Sequence, residues 1–365
     1  MKSVQISLPL FLYGYKERTK DSVMKDQSTT IYDISEKAGV SIATVSRVLN
    51  GSDNVSAKTR QKVLDVIDQC GYTPNAFARG LGLNTMKTIG IMTADSSDLY
   101  LAKAIYYLEG LLRENGYDSI LCCTGYSASG KKSAMDLLLN KKVDGILLVG
   151  SNFVYDTEAE NNYITQAAKS VPVMLLNGAL DAPNVYSITS DDFTSVYEAT
   201  AKLLKSGITD IVYYYNSISY SGRKKLAGFK AAMDEYNKPI GKHTLQYYQG
   251  EREDIGAMVN QLSKVYDSGF PIQGIIASDD TLAIAAVKLA KHKGLKVPGD
   301  LSIIGYNNSL LATCSEPELT SIDNKLETLC SHLISTLMGV LGGNDMPKKT
   351  IFSGELILRD TTKLK

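Results

Sequence analysis

From Thr88 to the carboxyl end the chain alternates short, wholly apolar runs with longer segments of helical periodicity, and no other feature limits its possible folds so strongly. A run such as Ile146-Leu147-Leu148-Val149 is too short for a helix and has no alternating polar residues, so both of its faces must be covered. Parallel strands joined by helical crossovers meet that demand, because each crossover lays a helix over the sheet. The pattern predicts strands at 89–93, 119–124, 145–149, 173–176, 211–215, 274–277 and 301–306, with helices at 100–115, 193–206, 222–236 and 281–293 between them. A chain of 365 residues that is 44% apolar and 21% charged is globular and too long for one core of ordinary size. Two doubly wound α/β lobes with a cleft between them are therefore expected.

The segment 30–72 reads differently, as three short helices. Thr30 caps a predicted helix over 31–38, with Asp33 at the third helical position in a capping-box arrangement. Gly39 supplies the left-handed residue that ends it. After the Gly39-Val40 turn, Ser41 caps a second helix over 42–49. Ser56 opens a third, in which Val63, Val66, Ile67 and Cys70 recur at helical spacing until Gly71. Residues 75–83 have helical character, but Gly80 and Gly82 each cost about 1 kcal/mol relative to alanine. An isolated helix this short is mostly unfolded in water, so the segment is expected to be a conditional hinge.

Two helices joined by a short glycine turn, the second with small and polar side chains on one face, suit the major groove of DNA, which admits one helix. Val45, Val48 and Leu49 are expected inside, with Ile42, Ala43, Ser46 and Arg47 on or near the other face. Arg47 is the natural guanine reader, since its fork bonds O6 and N7 together, worth about 1–3 kcal/mol of discrimination. Tyr32, Ser41, Thr44, Ser46 and Asn50 suit phosphate contacts. The whole chain balances 39 basic against 39 acidic residues, and 25–87 carries eight basic and six acidic, a net of +2. Sequence-independent attraction to DNA is accordingly weak, and the motif itself must supply the affinity.

The string Thr30-Ile31-Tyr32-Asp33-Ile34-Ser35-Glu36-Lys37-Ala38-Gly39-Val40-Ser41, followed by Thr44-Val45-Ser46-Arg47-Val48-Leu49-Asn50-Gly51, closely resembles the signature of the lactose-repressor family. The likeness continues through Thr59-Arg60, Gly71-Tyr72-Thr73-Pro74-Asn75 and Ala78-Arg79 to Leu81. Later landmarks are Val143-Asp144-Gly145-Ile146, Leu226-Ala227-Gly228-Phe229, Asp280 with Ala283, and the segments 297–306 and 317–322. The resemblance covers the chain from Thr30 onward. It implies a cytoplasmic transcriptional regulator, a repressor by family habit, that acts as a homodimer on a pseudo-palindromic operator in double-stranded DNA. It implies a hinge that folds only on DNA, where Leu81 holds the position of the leucine that wedges into the minor groove and Ala78 lies in the same segment. Ile42 and Ala43 fall at the two positions that vary most with operator. Their aliphatic-then-alanine pairing is similar to that of gram-positive catabolite control proteins, which implies an operator with a central CpG step. The end after Ile357 lacks leucine heptads, so a dimer is expected rather than a coiled-coil tetramer.

The same resemblance implies a carboxyl-terminal domain of the periplasmic-binding-protein kind, with a small effector held between the lobes beyond the carboxyl ends of the strands. A sugar or sugar phosphate is the expected effector, and lobe closure is expected to shift the hinge between DNA-competent and incompetent states. Tyr100 is placed to stack on a ring, and Ser221, Arg223, Lys225, Arg252, Asp279 and Asn307 are polar candidates. Three positions depart from the family pattern. Lys225 stands where an arginine usually precedes the Leu-Ala-Gly segment, Asn307 where an aspartate usually follows Gly-Tyr, and Arg252 where the cleft often has an aromatic. The resulting plan is an extension at 1–28, disordered or misassigned, with Met24 as an alternative start. It continues with a helix-turn-helix domain at 29–74, a hinge and linker at 75–87, and an effector and dimerisation domain at 88–365. Lobe one is expected at 88–187 and 318–346, and lobe two at 188–317 and 347–360.

Other classes fit less well. Cys70, Cys122, Cys123, Cys314 and Cys330 form no CxxC pair and no disulfide framework. No apolar run approaches the roughly 18 residues needed to span a bilayer, so no membrane partner is expected. With three histidines and no P-loop or nucleophile-elbow string, neither a cofactor nor an enzymatic activity is expected, despite the Asp279-Asp280 pair. A solute-binding protein of a transport system would share the lobes, but would need an export signal and no DNA-reading head.

Overall fold

The computed structural model describes residues 29–49, 51–72 and 85–364. They fall into two units divided between residues 79 and 80. The first comprises α1 (Ile31–Ala38), α2 (Ile42–Leu49) and α3 (Ala57–Gln69). Thr30 Oγ1 accepts from the Asp33 N–H at 3.4 Å, and Asp33 Oδ2 accepts from the Thr30 N–H at 2.7 Å, so the expected capping box forms. Gly39 ends α1 at φ 60, and Ser41 and Ser56 each accept a backbone N–H from the residue three positions on, both at 3.2 Å. Those caps satisfy donors that a short helix otherwise leaves to water. Ile34, Ala38, Val45, Val48 and Val63 form the core of this unit, contributed by all three helices.

In the second unit the order is β1 (Thr88–Thr93), α4 (Leu99–Glu114), β2 (Asp118–Cys123), α5 (Ala128–Asn140), β3 (Gly145–Val149), α6 (Glu158–Ala167), β4 (Val173–Leu176) and β5 (Val185–Ser190). Then come α7 (Asp192–Lys205), β6 (Ile211–Tyr215), α8 (Tyr220–Glu235), β7 (Leu245–Tyr247), α9 (Ile255–Asp267), β8 (Gly274–Ala277) and α10 (Asp280–Lys293). The chain closes with β9 (Ser302–Tyr306), α11 (Leu310–Cys314), β10 (Thr320–Asp323), α12 (Leu326–Leu341), β11 (Lys349–Phe352) and β12 (Glu355–Ile357).

These strands build two six-stranded sheets, ordered β11-β5-β4-β3-β1-β2 in lobe one and β12-β10-β9-β8-β6-β7 in lobe two. Every pairing is parallel except β10 with β12. Each sheet is covered on both faces. In lobe one, Leu108, Leu112, Leu333 and Leu337 fill one side and Met135, Leu138 and Ile164 the other. In lobe two, Met258, Leu262 and Leu289 face Val196, Leu203 and Phe229 across the sheet. That double coverage is why the central strands read as unbroken apolar runs.

All seven expected strands are present within a residue or two of the predicted limits. β5, β7, β10, β11 and β12 were not predicted. Three of them are short pieces at sheet edges with half-exposed side chains, and β5 and β10 carry the polar side chains of Ser187, Thr189, Thr320 and Ser321 inward. The lobe assignment of the carboxyl-terminal segments needs correction. Within 318–346, expected in lobe one, α12 does pack on that lobe, but β10 pairs with β9 in lobe two. Within 347–360, expected in lobe two, β11 pairs with β5 in lobe one and only β12 belongs to the second sheet. The chain thus passes between lobes three times, after β5, after β10 and after β11.

Candidate functional site

On the head, α2 presents Ser41, Ile42, Ala43 and Arg47 to solvent, while Thr44 and Ser46 are half-buried. Ile42 is 40% exposed and Tyr32 on α1 is 69% exposed. Val45 and Val48 are buried on the opposite side of α2, and Leu49 packs against the same core. Among the described residues Arg47 has no ion-pair partner, so its guanidinium is available. Ser41 and Thr44 hydroxyls lie 2.9 Å apart. Asn50, Ala78 and Leu81 lie outside the described residues.

Between the lobes, beyond the carboxyl ends of the strands, is a cavity of about 680 Å³. Its wall includes all seven expected residues: Tyr100, Ser221, Arg223, Lys225, Arg252, Asp279 and Asn307. Their environments differ from what residue type alone suggests. Arg252, after β7, pairs with Asp98 of lobe one at 2.7 Å, and its guanidinium lies 5.6 Å from the Tyr126 ring centre. Arg223 of α8 pairs with Asp156 of lobe one, also at 2.7 Å. The Ser151 and Ser219 hydroxyls, 2.8 Å apart, make a third link across the cleft. Both ion pairs are partly exposed, so each is worth at most about 1 kcal/mol. They latch the lobes and leave neither arginine free of a carboxylate.

Tyr100 accepts hydrogen bonds from the side-chain amides of Asn177 and, at 3.1 Å, Asn324, and burial pushes its phenol well above the ordinary range. Asn324 also donates to Asn307 Oδ1 at 3.3 Å. The chain Tyr100–Asn324–Asn307 therefore joins the start of α4 in lobe one to the end of β9 in lobe two through a crossover residue. Asn307 and Asn308 adopt φ 95 and 46, left-handed backbone that asparagine tolerates better than most residues.

Lys225 is buried under the cleft floor. Its ammonium donates to the Ser278 carbonyl at 3.0 Å and sits 3.4 Å from the Tyr306 ring centre. Asp192, the first residue of α7, accepts from the Tyr306 hydroxyl and from Ser221, and it attracts the Lys225 ammonium electrostatically without forming an ion pair with it. Burial pushes the Asp192 carboxyl up and the Lys225 ammonium down, and the attraction between them opposes both shifts. Asp279 caps α10 through the Leu282 N–H at 2.8 Å and accepts from Asn216 at 2.7 Å. Its neighbour Asp280 accepts from Ser309 and Ser321, and burial pushes its carboxyl up to about 6.

Asp98, Lys131, Asn177, Asp192, Asn216 and Asn324 complete this arrangement and were not singled out from sequence. Asp98 alone had a local signal, as the residue capping the helix predicted after the first strand. The others meet only through strand order. Among the described residues no cluster of three or more histidine, cysteine or acidic side chains is arranged to hold a metal, and no helix is long and apolar enough to cross a membrane.

A helix-turn-helix head and a two-lobed domain of parallel sheets define a DNA-binding transcriptional regulator of the ligand-responsive kind. Residues 30–75 match the bacterial regulatory proteins of the lacI family, and 200–362 match the periplasmic binding protein-like domain. The chain is 54% identical over 332 residues to an HTH-type transcriptional regulator from Lachnoclostridium phytofermentans, covering 91% of this chain and 99% of that protein. It is 31% identical to catabolite control protein A of Priestia megaterium, over 81% of this chain and 87% of that one. The fold matches the crystal structure of the lac repressor dimer bound to operator and the anti-inducer ONPF with a TM-score of 0.82 at 24% identity, over 92% and 99% of the two chains. This protein belongs to the lacI family of bacterial regulatory proteins.

Proposed function

We propose that the chain is a cytoplasmic homodimeric repressor, which reads a pseudo-palindromic operator through α2 and is switched by a sugar-like effector in the interlobe cavity. The observation that carries the reading is the convergence of all seven expected cleft residues on one cavity, in a chain whose recognition-helix face is solvent-exposed. Arg47 reads a guanine, Ile42 and Ala43 contact base edges, and Tyr32, Ser41, Thr44, Ser46 and Asn50 hold phosphates. Ala78 and Leu81 belong to a minor-groove hinge. In the cleft, Tyr100, Asp279 and Asn307 contact the effector, and Arg223 and Arg252 hold the lobes around it. Lys225 with Ser221 supports the floor.

Several relatives support repression and a sugar-sized ligand. Four relatives at 27–30% identity are named as transcriptional repressors. One structural neighbour is a complex of the regulator CelR with cellobiose, and another is a repressor dimer on its operator. A repressor of this kind needs no catalysis, and the cleft is read as a binding site rather than an active site. The experiment is to enrich a DNA site from random duplexes with the full-length protein and measure its affinity by fluorescence anisotropy, alone and with each of a panel of sugars and sugar derivatives. A two-fold-symmetric enriched site, and one compound that changes its affinity at least fivefold, are expected. An enriched site without symmetry, or affinity indifferent to every compound that binds the protein, overturns the reading.

A further inference from the structure

Four cations line the cavity: Lys131, Arg223, Lys225 and Arg252. Three have a counter-charge inside the protein, since Arg223 pairs with Asp156, Arg252 with Asp98, and Lys225 lies in the field of Asp192. Lys131 has none. It projects from the first turns of α5, is 2% exposed, and makes no ion pair among the described residues. Its ammonium is held only by neutral acceptors, the Asn152 carbonyl and, at 2.8 Å, the Tyr155 hydroxyl, with the Tyr155 ring centre 4.5 Å away. A buried ammonium without an opposing charge is costly, and proteins rarely retain one unless a ligand neutralises it.

A second observation points the same way. The side-chain Nδ2 of Asn152 is buried with no hydrogen-bond acceptor among the described residues, and Asn152 lines the same cavity. The lobe-one wall thus presents an uncompensated cation beside an N–H without an acceptor. Both want an oxygen acceptor, and the cation wants a negative one.

We propose that Lys131 and Asn152 form an anion subsite, so that the effector is a polyhydroxylated molecule bearing a carboxylate or a phosphate rather than a neutral sugar. The inference rests on the cavity being the effector site. The remaining wall, with Tyr100, Asp279 and Asn307, supplies the hydrogen bonds and ring contact that hydroxyl groups require. Lys131 fixes the acidic end in lobe one while Asp279 and Asn307 hold hydroxyls from lobe two, so an acidic ligand spans the cleft.

The test is isothermal titration of the full-length protein with matched compounds: neutral mono- and disaccharides, the corresponding uronic acids, and the corresponding sugar phosphates. Binding by at least one acidic series, at least tenfold tighter than by its neutral counterpart, is expected, and which series binds distinguishes carboxylate from phosphate. Lys131→Met is expected to weaken that binding at least tenfold, with an unliganded thermal midpoint unchanged or raised, which a merely structural lysine would not give. Asn152→Ala, which removes the side-chain amide but keeps the backbone carbonyl that accepts from Lys131, is expected to weaken the same compound severalfold, and serves if the first variant does not fold. Binding of neutral sugars alone, or equal affinity of wild type and both variants for an acid, overturns the anion subsite while leaving the cavity as the effector site. Binding of no compound in any series overturns both.

Discussion

Replacing Lys225 by methionine isolates the attraction between the two buried charged groups beneath the cleft, Lys225 and Asp192. The substitution keeps the length and apolar stem of the side chain but leaves Asp192, 4% exposed, with hydroxyl donors and no cation. Removing one partner of a buried ion pair in direct contact typically costs about 3–5 kcal/mol, which is the upper bound for two buried groups that attract each other without that contact. The folded variant has one escape, which is to protonate Asp192. From an ordinary carboxylate value near 3.9, holding a proton at pH 7 costs about 4 kcal/mol, and at pH 5 about 1.5 kcal/mol. Those figures cap the electrostatic part of the loss. The Ser278 carbonyl, left without its donor, adds roughly 1 kcal/mol.

The expected deficit for Lys225→Met is therefore at most roughly 3–5 kcal/mol at pH 7, shrinking to at most about 2–3 kcal/mol at pH 5. The sign follows from proton uptake. Burial holds the Asp192 pKa above its unfolded value, so the folded variant binds more protons than the unfolded chain, and its relative stability falls as pH rises towards the folded pKa. Urea unfolding of the four members of the Lys225→Met and Asp192→Asn cycle, at both pH values, measures this directly. The double variant is expected to recover at least 1.5 kcal/mol of the single-variant loss. A loss below about 1 kcal/mol at pH 7, additive energies, or a deficit that grows on acidification would refute the argument that Lys225 and Asp192 attract each other electrostatically.

Arg47→Ala is expected to weaken specific operator binding by about 1–3 kcal/mol, roughly five- to 150-fold, and to relax preference at one base pair while leaving non-specific binding nearly unchanged, as competition titrations would show. Thr30→Ala removes the capping box of α1 and is expected to destabilise the head by about 0.5–2 kcal/mol, seen as a lower melting midpoint of a head transition or of its amide protection. For Arg252→Ala and Asp98→Ala, a double-mutant cycle on lobe stability is expected to give a coupling no greater than about 1 kcal/mol that shrinks with added salt, because the arginine is 40% exposed.

Much of the head was legible because its signals are local. Thr30, Gly39, Ser41 and Ser56 fix helix ends through hydrogen bonds spanning three to five residues, and the structure reproduces α1 and α2 with the predicted limits. The central strands were legible for a related reason, since a run buried on both faces has to be apolar throughout. The seven cleft candidates could be placed in one cavity because residues following parallel strands all emerge at the same end of a sheet.

The sequence by itself thus determined the helix caps, the alternation that demands parallel sheets, and which chain segments border the cleft, all through interactions between near neighbours or a simple periodicity. The tertiary structure alone decided three other things. It set β10 beside β9 in lobe two and β11 beside β5 in lobe one, the latter a partner more than a hundred and fifty residues away in the chain. It matched Arg252 with Asp98 and Asp156 with Arg223, across separations no local pattern encodes. It also buried Lys131 without an ion-pair partner among the described residues, although nothing in its sequence context, one of two adjacent lysines, distinguishes it from a solvated residue. Burial and charge pairing depend on what the rest of the chain brings near, and that is the information a linear string does not carry.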